Sequence, residues 1–443
     1  MQLTLKAVDQ IRANPNNART HSAKQIHQIA ASIREFGFQN PILVDEAGMI
    51  IAGHGRLAAA IELGLTEVPA IEVVGLSPAK KRALAIADNR IALNAGWNIE
   101  ILALELQELS TLDIDFDLDI TGFDTAEIDI LIDGPPPKNS IDPADQIAAV
   151  PADAVSRPGD LWLLGEHKLI CGDAREAACF AALMGDERAG VVFTDPPFNV
   201  PIDGHVCGSG RIKHREFAMA SGEMSESEFI DFLKRTLGNA AEVSRDGALH
   251  YVCMDWRHMG EIITAGKAVY TELKNLCVWN KDNGGMGSFY RSKHELVFVF
   301  KVGSGPHQNT IQLGRSGRYR CNVWDYSGVN TMRRGRLEDL GMHPTTKPVA
   351  LVADALKDCS RRGDIVLDPF AGSGTTIMAA QKTGRRARVI EIDTLYTDVS
   401  LRRWETYTKQ DAVHQVTGCT FAEIAAQRGI SPADPEQAAQ AKG

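Results

Sequence analysis

The sequence predicts an α/β protein in which a small α/β domain precedes a larger, mostly parallel β-sheet with helices on both faces. The first observation is length, because 443 residues exceed what a single hydrophobic core usually holds. The second is composition, since 44% hydrophobic and 23% charged residues are typical of folded globular proteins. The third is the alternation of apolar strand-like runs with amphipathic helical stretches after residue 158, which is typical of such sheets.

Composition also argues against two classes of protein. No apolar run reaches the roughly 18 to 20 residues that cross a bilayer, and the first residues lack a signal-peptide pattern, so we expect no membrane partner. The eight cysteines include no CxxC pair, which favours reduced thiols in a cytoplasmic protein.

The net charge of −10 is distributed unevenly along the chain. Residues 98–153 hold 14 acidic residues against one lysine, so the rest of the chain carries a net charge of +3. Residues 311–336 hold six arginines against one aspartate, interleaved with aromatic residues. That mixture suits the phosphates and bases of a nucleic acid, although a solvated loop with surface ion pairs would have the same composition.

The first hundred residues predict a compact α/β unit. A helix begins at Ser22, continues with apolar residues at helical spacing and ends at Gly37. Two short apolar runs, 42–44 and 49–51, are separated by a polar turn and predict a hairpin. The remaining elements are a helix over 57–63, a strand over 68–74 and a helix from Ser77 to Asn89.

A Gly-His-Gly-Arg turn at residues 53–56 precedes the second helix. Backbone N–H groups at a helix start, together with a guanidinium, favour a phosphate. Residues 1–97 resemble the N-terminal domain of ParB-type partition proteins, in which a Gly-x-x-Arg box contacts a nucleotide, and residues 87–91 resemble the segment that closes such domains. The resemblance implies a nucleotide partner for this domain, while a purely local capping role of Arg56 stays open.

Residues 98–157 predict an acidic linker that is partly helical at its start. Aspartates alternate with apolar residues over 112–119, and three prolines follow Gly134, which is typical of a stiff connector. A cation site is the alternative for the aspartates. No Gly and Glu stand at EF-hand positions, so a solvated acidic face is favoured.

Residues 158–410 predict the large sheet, and residues 411–443 predict a flexible tail in which 421–427 can form a short helix. The predicted strands cover 161–164, 168–171, 191–194, 249–254, 276–280, 296–301, 365–367 and 387–392. The predicted helices cover 226–244, 258–269, 348–360, 375–383 and 395–409. Ligands of such sheets bind beyond the carboxyl ends of the strands, so functional motifs are expected directly after strands.

The first motif is a buried strand that runs into Asp195-Pro196-Pro197-Phe198. The prolines have no N–H to donate and fix the turn, which leaves the Asp195 carboxylate and the Pro196 carbonyl as acceptors. Two acceptors beside an aromatic ring suit a flat ring that bears an amino group. The alternative is that the prolines simply end a strand.

The second motif is a strand at 365–367, Asp368, a glycine-rich turn and the start of a helix. It lacks the lysine of a phosphate-binding P-loop, and Ile377 stands where a dinucleotide motif needs its third glycine. A turn through Gly372 and Gly374 lets the backbone approach a ligand closely. Glu391, at the end of the next strand, is placed to bind the hydroxyls of a ribose. The alternative is an ordinary tight connection.

Together these motifs resemble the amino-group DNA methyltransferases that use S-adenosylmethionine, over roughly residues 158–407. The resemblance implies a Rossmann-like methyltransferase fold, S-adenosylmethionine as cofactor and no metal. It implies that Asp195, Pro196, Pro197 and Phe198 are catalytic. The residues that it implies for cofactor binding are Asp173, Thr345, Lys347, Asp368, Pro369, Phe370, Gly372, Gly374, Thr375 and Glu391. Residues 291–296 are similar to a further block of that family.

The order of the motifs, with the catalytic tetrapeptide before the cofactor loop, is that of the family's beta group. In that group the target-recognition segment falls in the position of residues 302–342, where the arginine and aromatic cluster lies. The resemblance therefore implies double-stranded DNA as the partner. The residues expected to contact DNA are Arg315, Arg318, Arg320, Arg333, Arg334 and Arg336.

The implied reaction is direct methyl transfer to an exocyclic amine. Methylation at cytosine C5 needs a cysteine nucleophile, which that family presents in a Pro-Cys pair, and this chain contains no Pro-Cys. The target base must leave the duplex, with Phe198 as the stacking platform. An Asp at the first position of the tetrapeptide favours adenine N6 in this family, whereas Phe in place of the commoner Tyr at 198 leaves the base identity open.

Other functions stay open on sequence alone. They are cytosine N4 methylation, a non-catalytic ParB-like protein that binds DNA in response to a nucleotide, and methylation of RNA or protein. The resemblance also suggests a role in restriction-modification, without predicting a recognition sequence, a restriction partner or an oligomeric state.

Overall fold

A computed structural model describes residues 3–112, 114, 116–134, 142–147, 149–200, 220, 222–282, 284, 289–311, 320–327 and 346–430. The chain divides into two compact units, Met1–Pro135 and Pro136–Gly443. Each unit has its own sheet and its own hydrophobic core. Within the described ranges, no helix is long and apolar enough to cross a membrane.

The first unit contains a four-stranded sheet flanked by helices. Its strands are β1 (Leu3–Ala7), β2 (Ile42–Val44), β3 (Ile50–Ala52) and β4 (Glu67–Glu72), and its first helices are α1 (Ala23–Phe36), α2 (His54–Glu62) and α3 (Pro78–Ala92). The sheet order is β1-β4-β2-β3. The pair β2 and β3 is antiparallel, which confirms the predicted hairpin, while β4 runs parallel to β2.

Local signals in the sequence determine where α1 begins and ends. The Ser22 side chain accepts a hydrogen bond from the N–H of Gln25 at 3.1 Å, which satisfies a backbone donor that the first turn would otherwise leave unpaired. Gly37 ends the helix with a φ of 77°, a conformation that favours glycine. The predicted helix from 22 to 37 is therefore confirmed.

The acidic segment is more ordered than the predicted linker. It contains helices α4 (Ile99–Thr111) and α5 (Thr125–Asp133), and α5 begins with a capping box between Asp124 and Glu127. Leu106 and Ile128 are buried. Acidic residues in this segment thus act partly as helix caps, while the apolar residues between them pack, so a composition typical of a solvated linker encodes two helices.

The second unit is built on a ten-stranded sheet in the order β11-β9-β10-β8-β7-β12-β13-β6-β5-β14. Its strands are β5 (Leu161–Leu164), β6 (His167–Cys171), β7 (Ala189–Thr194), β8 (Ser244–Met254), β9 (Glu272–Asn280), β10 (His294–Lys301), β11 (Val323–Asp325), β12 (Ile365–Asp368), β13 (Arg386–Glu391) and β14 (Val413–His414). Its helices are α6 (Ala177–Met184), α7 (Glu226–Glu242), α8 (Met259–Val269), α9 (Val349–Cys359), α10 (Thr375–Thr383), α11 (Thr394–Thr408) and α12 (Phe421–Gln427).

The centre of this sheet is parallel and its margins are largely antiparallel. Strands β8, β7, β12, β13 and β6 pair in parallel, whereas β10 is antiparallel to both β8 and β9. The predicted α/β fold is confirmed, and all eight predicted strands and five predicted helices correspond to observed elements. Because the parallel strands share a direction, the residues that follow β6, β7, β12 and β13 lie at one edge of the sheet.

The C-terminal segment differs from the predicted flexible tail. Strand β14 pairs with β5, and the predicted short helix is present as α12. The ring of Phe421 lies 5.5 Å from that of Trp162, centroid to centroid, and both side chains are buried. The apolar residues of 412–425 therefore cover the sheet margin, which the high Ala and Gln content of the tail obscures. Residues 431–443 lie outside the described residues.

Candidate active site

A cavity opens at the carboxyl ends of the central parallel strands. Its empty volume is about 1280 Å³, including the part that is open to solvent. The Asp195 motif and the glycine loop both line it, so the two motifs singled out in the sequence share one cavity. The sequence-predicted residues that line it are Asp173, Asp195, Pro196, Pro197, Phe198, Lys347, Asp368, Pro369, Phe370, Gly372, Thr375 and Glu391.

Asp195 is the first residue after β7 and carries a carboxylate with two different environments. Its Oδ2 atom accepts a hydrogen bond from Lys347 Nζ at 2.6 Å. Its Oδ1 atom is buried and has no hydrogen-bond partner among the described residues. A buried acceptor without a donor costs free energy until a ligand supplies an N–H or O–H group.

The ammonium group of Lys347 lies at the Asp195 end of the cavity and contacts a second carboxylate, that of Glu295, at 2.5 Å. Glu295 stands at the start of β10 and also accepts a hydrogen bond from Lys281 Nζ at 2.9 Å. Sequence reasoning did not assign a role to Glu295. The available signal was an acidic residue at the head of an otherwise apolar strand, within the block at 291–296.

The surroundings of Asp195 and Glu295 shift the pKa values of these two carboxyl groups in opposite directions. Burial raises the pKa of Asp195 to about 6, although the nearby Lys347 ammonium opposes the rise. Burial also acts to raise the pKa of Glu295, but the ammonium groups of Lys347 and Lys281 outweigh it and lower that pKa to about 2. The two carboxylates likewise outweigh burial at Lys347 and raise its pKa, so this lysine stays charged.

Two aromatic rings flank the Lys347 ammonium. Its Nζ lies 5.7 Å from the centroid of Phe198 and 5.9 Å from that of Trp279. Phe198 lines the cavity, whereas Trp279 is only 3% exposed and donates its indole N–H to the carbonyl of Tyr326 at 2.9 Å. Phe198 is therefore the ring available to a ligand, and Trp279 supports the lysine from behind.

The glycine loop is held by the carboxylate of Asp368 at the end of β12. That carboxylate accepts hydrogen bonds from Thr194 Oγ1 at 2.9 Å, from Thr376 Oγ1 at 2.6 Å and from the N–H of Phe370 at 3.0 Å. Burial raises its pKa to about 6. Asp368 thus ties the end of β7 to the start of α10, and the glycine loop that connects β12 to α10 is fixed before any ligand arrives.

Glu391, at the end of β13, binds the same loop from the other side. Its carboxylate accepts the N–H of Gly372 at 2.7 Å and the N–H of Asp393 at 2.8 Å. Burial raises the pKa of Glu391 to about 7. The carboxylate lines the cavity and retains lone pairs for further donors.

Gly374 does not line the cavity with the other predicted residues of the loop. It has a φ of 81°, and a Cβ there would come within 2.9 Å of Ser400 Oγ. Glycine is therefore required at 374 for the close packing of the loop against α11. The sequence correctly indicates a backbone constraint here, but the constraint comes from a neighbouring helix.

A residue that sequence reasoning did not include among the site residues, Arg403, braces the loop from inside the core. Its guanidinium is 3% exposed and donates to the carbonyl of Ser373 at 2.9 Å and to that of Ala144 at 2.7 Å. Three segments far apart in the chain meet at this guanidinium, and a buried multi-donor group is suited to such a junction.

Two further residues predicted to bind the cofactor are Asp173 and Thr345. Asp173 lines the cavity, and its carboxylate pairs with Arg175 at 2.7 Å; burial acts to raise its pKa, but the Arg175 hydrogen bonds outweigh it and lower that pKa. Thr345 lies outside the described residues. Its neighbour Thr346 lines the cavity, and the Thr346 hydroxyl is buried without a hydrogen-bond partner among the described residues.

Of the six arginines predicted to contact DNA, only Arg320 lies within the described residues, and it faces inward. Its guanidinium donates to Asp358 at 3.0 Å and to the Tyr326 hydroxyl at 2.9 Å, and its side chain is 14% exposed. The buried Asp358 holds Arg320 in the fold, so this arginine differs from the predicted DNA contact. Arg315, Arg318, Arg333, Arg334 and Arg336 lie outside the described residues.

In the first unit, the Gly-His-Gly-Arg turn opens α2 as predicted. Gly53 has a φ of 112°, and Arg56 donates to the carbonyl of Asn40 at 3.0 Å. Arg56 also lines a polar cavity formed with α1 and the 120–122 turn. Burial and the neighbouring His21 lower the pKa of His54. The arginine therefore makes a local contact and borders a space that a ligand can enter.

Comparison with known proteins assigns the chain to a family. The family model described as DNA methylase matches residues 189–402, which include Asp195, Glu295, Lys347 and Glu391. The ParB N-terminal domain matches residues 2–90, and the ParB-methyltransferase HTH domain matches residues 100–158. Residues 189–402 of this chain belong to the DNA methylase family. Its ParB-like domain is likewise confirmed, and the HTH match falls on the segment predicted as a linker.

Several known proteins resemble parts of this chain. The DNA adenine methyltransferase YhdJ of Escherichia coli (strain K12) is 26% identical over 277 residues, covering 56% of this chain and 88% of that protein. The ParB-like nuclease domain-containing protein YnaK of the same organism is 42% identical over 82 residues, covering 18% of this chain and 94% of YnaK. The crystal structure of an M1.HpyAVI-SAM complex overlaps with a TM-score of 0.38 at 17% identity, covering 53% of this chain and 98% of that one.

Proposed function

We propose that this DNA methylase transfers a methyl group from S-adenosylmethionine to the exocyclic amine of a DNA base, with adenine N6 as the target. The observation that carries the proposal is the unpartnered Oδ1 of Asp195, in a residue that shares a cavity with the glycine loop. An amine N–H is the donor that this acceptor lacks.

The residues around the cavity fit the cofactor. Glu391 offers a buried carboxylate for ribose hydroxyls, Phe370 and Ile392 offer apolar walls for a flat ring, and the backbone at Gly372 can approach closely. When bound, S-adenosylmethionine supplies a methyl group on a positively charged sulfur, open to attack by an amine nitrogen. The cavity lining includes the carboxylates of Asp173, Asp195 and Glu391, and carboxylates attract a positively charged group.

The chain's own residues act on the target base. Asp195 and the Pro196 carbonyl accept hydrogen bonds from the amine, which favours a pyramidal nitrogen whose lone pair is free to react. Phe198 stacks on the extruded ring. The nitrogen becomes positively charged as it gains the methyl group, and the Asp195 carboxylate accepts the proton that must then leave.

Adenine is favoured over cytosine by two considerations. The tetrapeptide begins with Asp, which favours N6 in the family it resembles, and the relative YhdJ is described as an adenine methyltransferase. Cytosine N4 is the second candidate, because its amine would offer Asp195 the same donor.

A labelling experiment tests both parts of this proposal. The purified chain is incubated with methyl-labelled S-adenosylmethionine and unmethylated double-stranded DNA, which is then digested to nucleosides. Label in N6-methyl-2′-deoxyadenosine supports the proposal, and label in N4-methyl-2′-deoxycytidine selects the second candidate. Absence of transfer by a chain that binds the cofactor in calorimetry contradicts enzymatic function and supports a non-catalytic DNA-binding role.

We expect DNA contacts from the arginines of the 302–342 segment, namely Arg315, Arg318, Arg333, Arg334 and Arg336. Removing one arginine that binds a phosphate should reduce the salt dependence of DNA binding by about one unit of slope. Arg320 serves as the matched control, because its partners are Asp358 and Tyr326. Arg318→Gln should lower the slope, and Arg320→Gln should leave it unchanged. Equal slopes for both variants and the wild type would refute the assignment.

The first unit supports a nucleotide as a further ligand. The Arg56 side chain borders a polar cavity, and α2 begins at this point with backbone donors. Calorimetry with CTP and ATP, on the full chain and on Arg56→Ala, tests the idea. Binding that the variant loses supports a nucleotide role, and equal titrations of both chains contradict it.

A further inference from the structure

The Lys347 ammonium is surrounded by carboxylates from two other parts of the chain. It contacts Asp195 Oδ2 at 2.6 Å and Glu295 Oε1 at 2.5 Å, and its side chain is only 6% exposed. Lys281 contacts the same glutamate from the far side at 2.9 Å. A buried chain of alternating charges is costly to assemble, and proteins retain such groups where they set the state of a functional residue.

The contacts divide the two oxygens of Asp195 between two roles. Oδ2 is occupied by the lysine, and Oδ1 is the oxygen without a donor. A carboxylate held at one oxygen by a buried ammonium cannot rotate freely, so the other oxygen is oriented before a substrate arrives. Lys347 itself is fixed by Glu295, because one ammonium held by two carboxylates has little freedom to move.

We propose that Lys347 and Glu295 are positioning residues that tune Asp195: Lys347 holds Oδ2 and keeps the carboxylate ionised as an acceptor for the amine, while Glu295 anchors the lysine and weakens its pull on Asp195. This inference rests on the proposed methyl transfer, and it names the two residues that set the orientation and charge of the Asp195 carboxylate. The family resemblance implies that Lys347 binds the cofactor. Its contact with Asp195 adds a second role, which is to keep that carboxylate ionised.

Among the described residues, the charged groups that act most strongly on Asp195 are Lys347, Glu295 and Asp368. Lys347 stabilises its negative charge, and Glu295 and Asp368 oppose it. The thiol of Cys253 lies within 4.8 Å of the carboxylates of Asp195 and Glu295, and burial raises the pKa of this thiol well above its ordinary value, so it stays neutral. Removal of Lys347 must therefore make Asp195 easier to protonate, and removal of the Glu295 charge must make it harder.

Opposite shifts in the pH profile test the proposal. The rate of single-turnover methyl transfer should fall at low pH as Asp195 gains a proton. Lys347→Met should move this acidic limb to higher pH by about 1 to 3 units, and Glu295→Gln should move it to lower pH. A role confined to folding would lower the rate at every pH without moving the two limbs in opposite directions.

Lys281→Met is the matched control, because Lys281 touches Glu295 and not Asp195. Its acidic limb should move less than that of Lys347→Met. Thermal melting and cofactor calorimetry establish that each variant is folded. Equal shifts for both lysine variants, or limbs that move in the same direction for Lys347→Met and Glu295→Gln, would overturn the proposal.

A variant without measurable turnover is tested by direct titration. Carbon NMR on chain labelled at the aspartate carboxyl carbon, with Asp195→Asn assigning the signal, reports the pKa of this carboxyl in each variant. A higher pKa in Lys347→Met supports the proposal, and an unchanged pKa overturns it. Failure of the wild type to transfer methyl would instead refute the proposed function, so the two failures are distinguishable.

Discussion

The two ends of the cavity are built in different ways. At the glycine-loop end, Asp368 and Glu391 accept hydrogen bonds from residues of the loop and the start of α10. Their donors include Thr376 Oγ1 and the N–H of Gly372. At the Asp195 end, three side chains from distant segments meet, and two carboxylates share one lysine. One end is satisfied before a ligand binds, while the other retains an acceptor without a donor among the described residues.

This difference matches what each end would do in the proposed methyl transfer. A cofactor that enters and leaves at every turnover needs a preformed surface, which satisfied hydrogen bonds provide. The end that handles the reacting amine needs an acceptor whose partner arrives with the substrate. Variants at the Asp195 end should therefore affect rate, and variants at the loop end should affect cofactor affinity and stability.

The largest expected effect is that of Asp195→Asn. The amide keeps the size of the carboxylate but loses its charge and its capacity to accept a proton, so single-turnover methyl transfer should fall by about 10²- to 10⁴-fold. Cofactor affinity, measured by calorimetry, should change little. A variant that loses cofactor binding while the rate at saturation is preserved would place Asp195 at the loop end instead.

Glu391→Gln should show the reverse pattern. The amide is a weaker acceptor for ribose hydroxyls and for the N–H of Gly372, so cofactor affinity should fall by about tenfold to a hundredfold. The rate at saturating cofactor should stay close to that of the wild type. Measurement of the single-turnover rate against cofactor concentration separates the two quantities, and a fall in the saturated rate alone would remove the contrast between the two ends.

The same contrast explains how much of the site could be predicted from the sequence. Two of the loop-end contacts join residues that lie close in the chain: Asp368 and Thr376 are 8 residues apart, and Gly372 and Glu391 are 19 apart. The contact of Asp368 with Thr194, 174 residues away, is the exception. A strand, a tight turn and a helix start have recognisable local patterns. The glycine loop, the Asp195-Pro196-Pro197-Phe198 motif and the edge of the sheet where they meet could therefore be located before any coordinates.

The other contacts depend on folding over long distances. Asp195 and Lys347 are 152 residues apart, and Arg403 and Ala144 are 259 apart. No local pattern distinguishes Glu295 from other acidic residues at strand starts, or shows that Arg320 turns inward to Asp358. The segment at 98–157 was predicted to be helical only at its start, where α4 lies, so the second helix α5 was missed, because charge composition conceals apolar positions such as Ile128 that pack.

A smaller effect is expected on stability as a function of pH. Burial raises the pKa of Glu391 from 4.5 to about 7, so without cofactor the folded state binds a proton that the unfolded state has released within this window. The free energy of unfolding should therefore fall as pH rises from about 4.5 to 7, by on the order of 2 kcal/mol from this group. Thermal melts of cofactor-free protein across this range measure it.

Glu391→Gln supplies the comparison for those melts. Glutamine stays neutral at every pH, so the variant should lose part of the decline and melt a few degrees higher than the wild type above pH 7. Asp195→Asn should reduce the dependence of melting temperature on pH less than Glu391→Gln does, because Lys347 already compensates part of the charge on Asp195. Burial lowers the pKa of His167 to about 4 and that of His250 to about 3, so both histidines act in the opposite direction in wild type and variant alike. The contribution of Glu391 is therefore the difference between the two chains, and a difference that does not grow as pH rises would contradict the assigned direction.

The smallest effect is expected at Cys253, whose thiol lies among the carboxylates of the Asp195 end. Burial raises the pKa of this thiol well above its ordinary value, so it remains protonated and is a poor nucleophile. Direct transfer to an amine needs no thiolate. Cys253→Ala should therefore change the single-turnover rate by no more than about twofold and the free energy of unfolding by about 1 kcal/mol.

That variant also separates two accounts of the cluster. If the lysine organises the carboxylates, the thiol is a packing neighbour and Cys253→Ala retains the wild-type pH profile. If the thiol acted with Asp195 and Glu295 as a metal ligand, Cys253→Ala and a chelator would each abolish transfer. Transfer rates are therefore measured for Cys253→Ala, for the wild type with a chelator and for Lys347→Met. Loss of transfer in Lys347→Met alone indicates that the positive charge beside Asp195 is the Lys347 ammonium and not a metal ion.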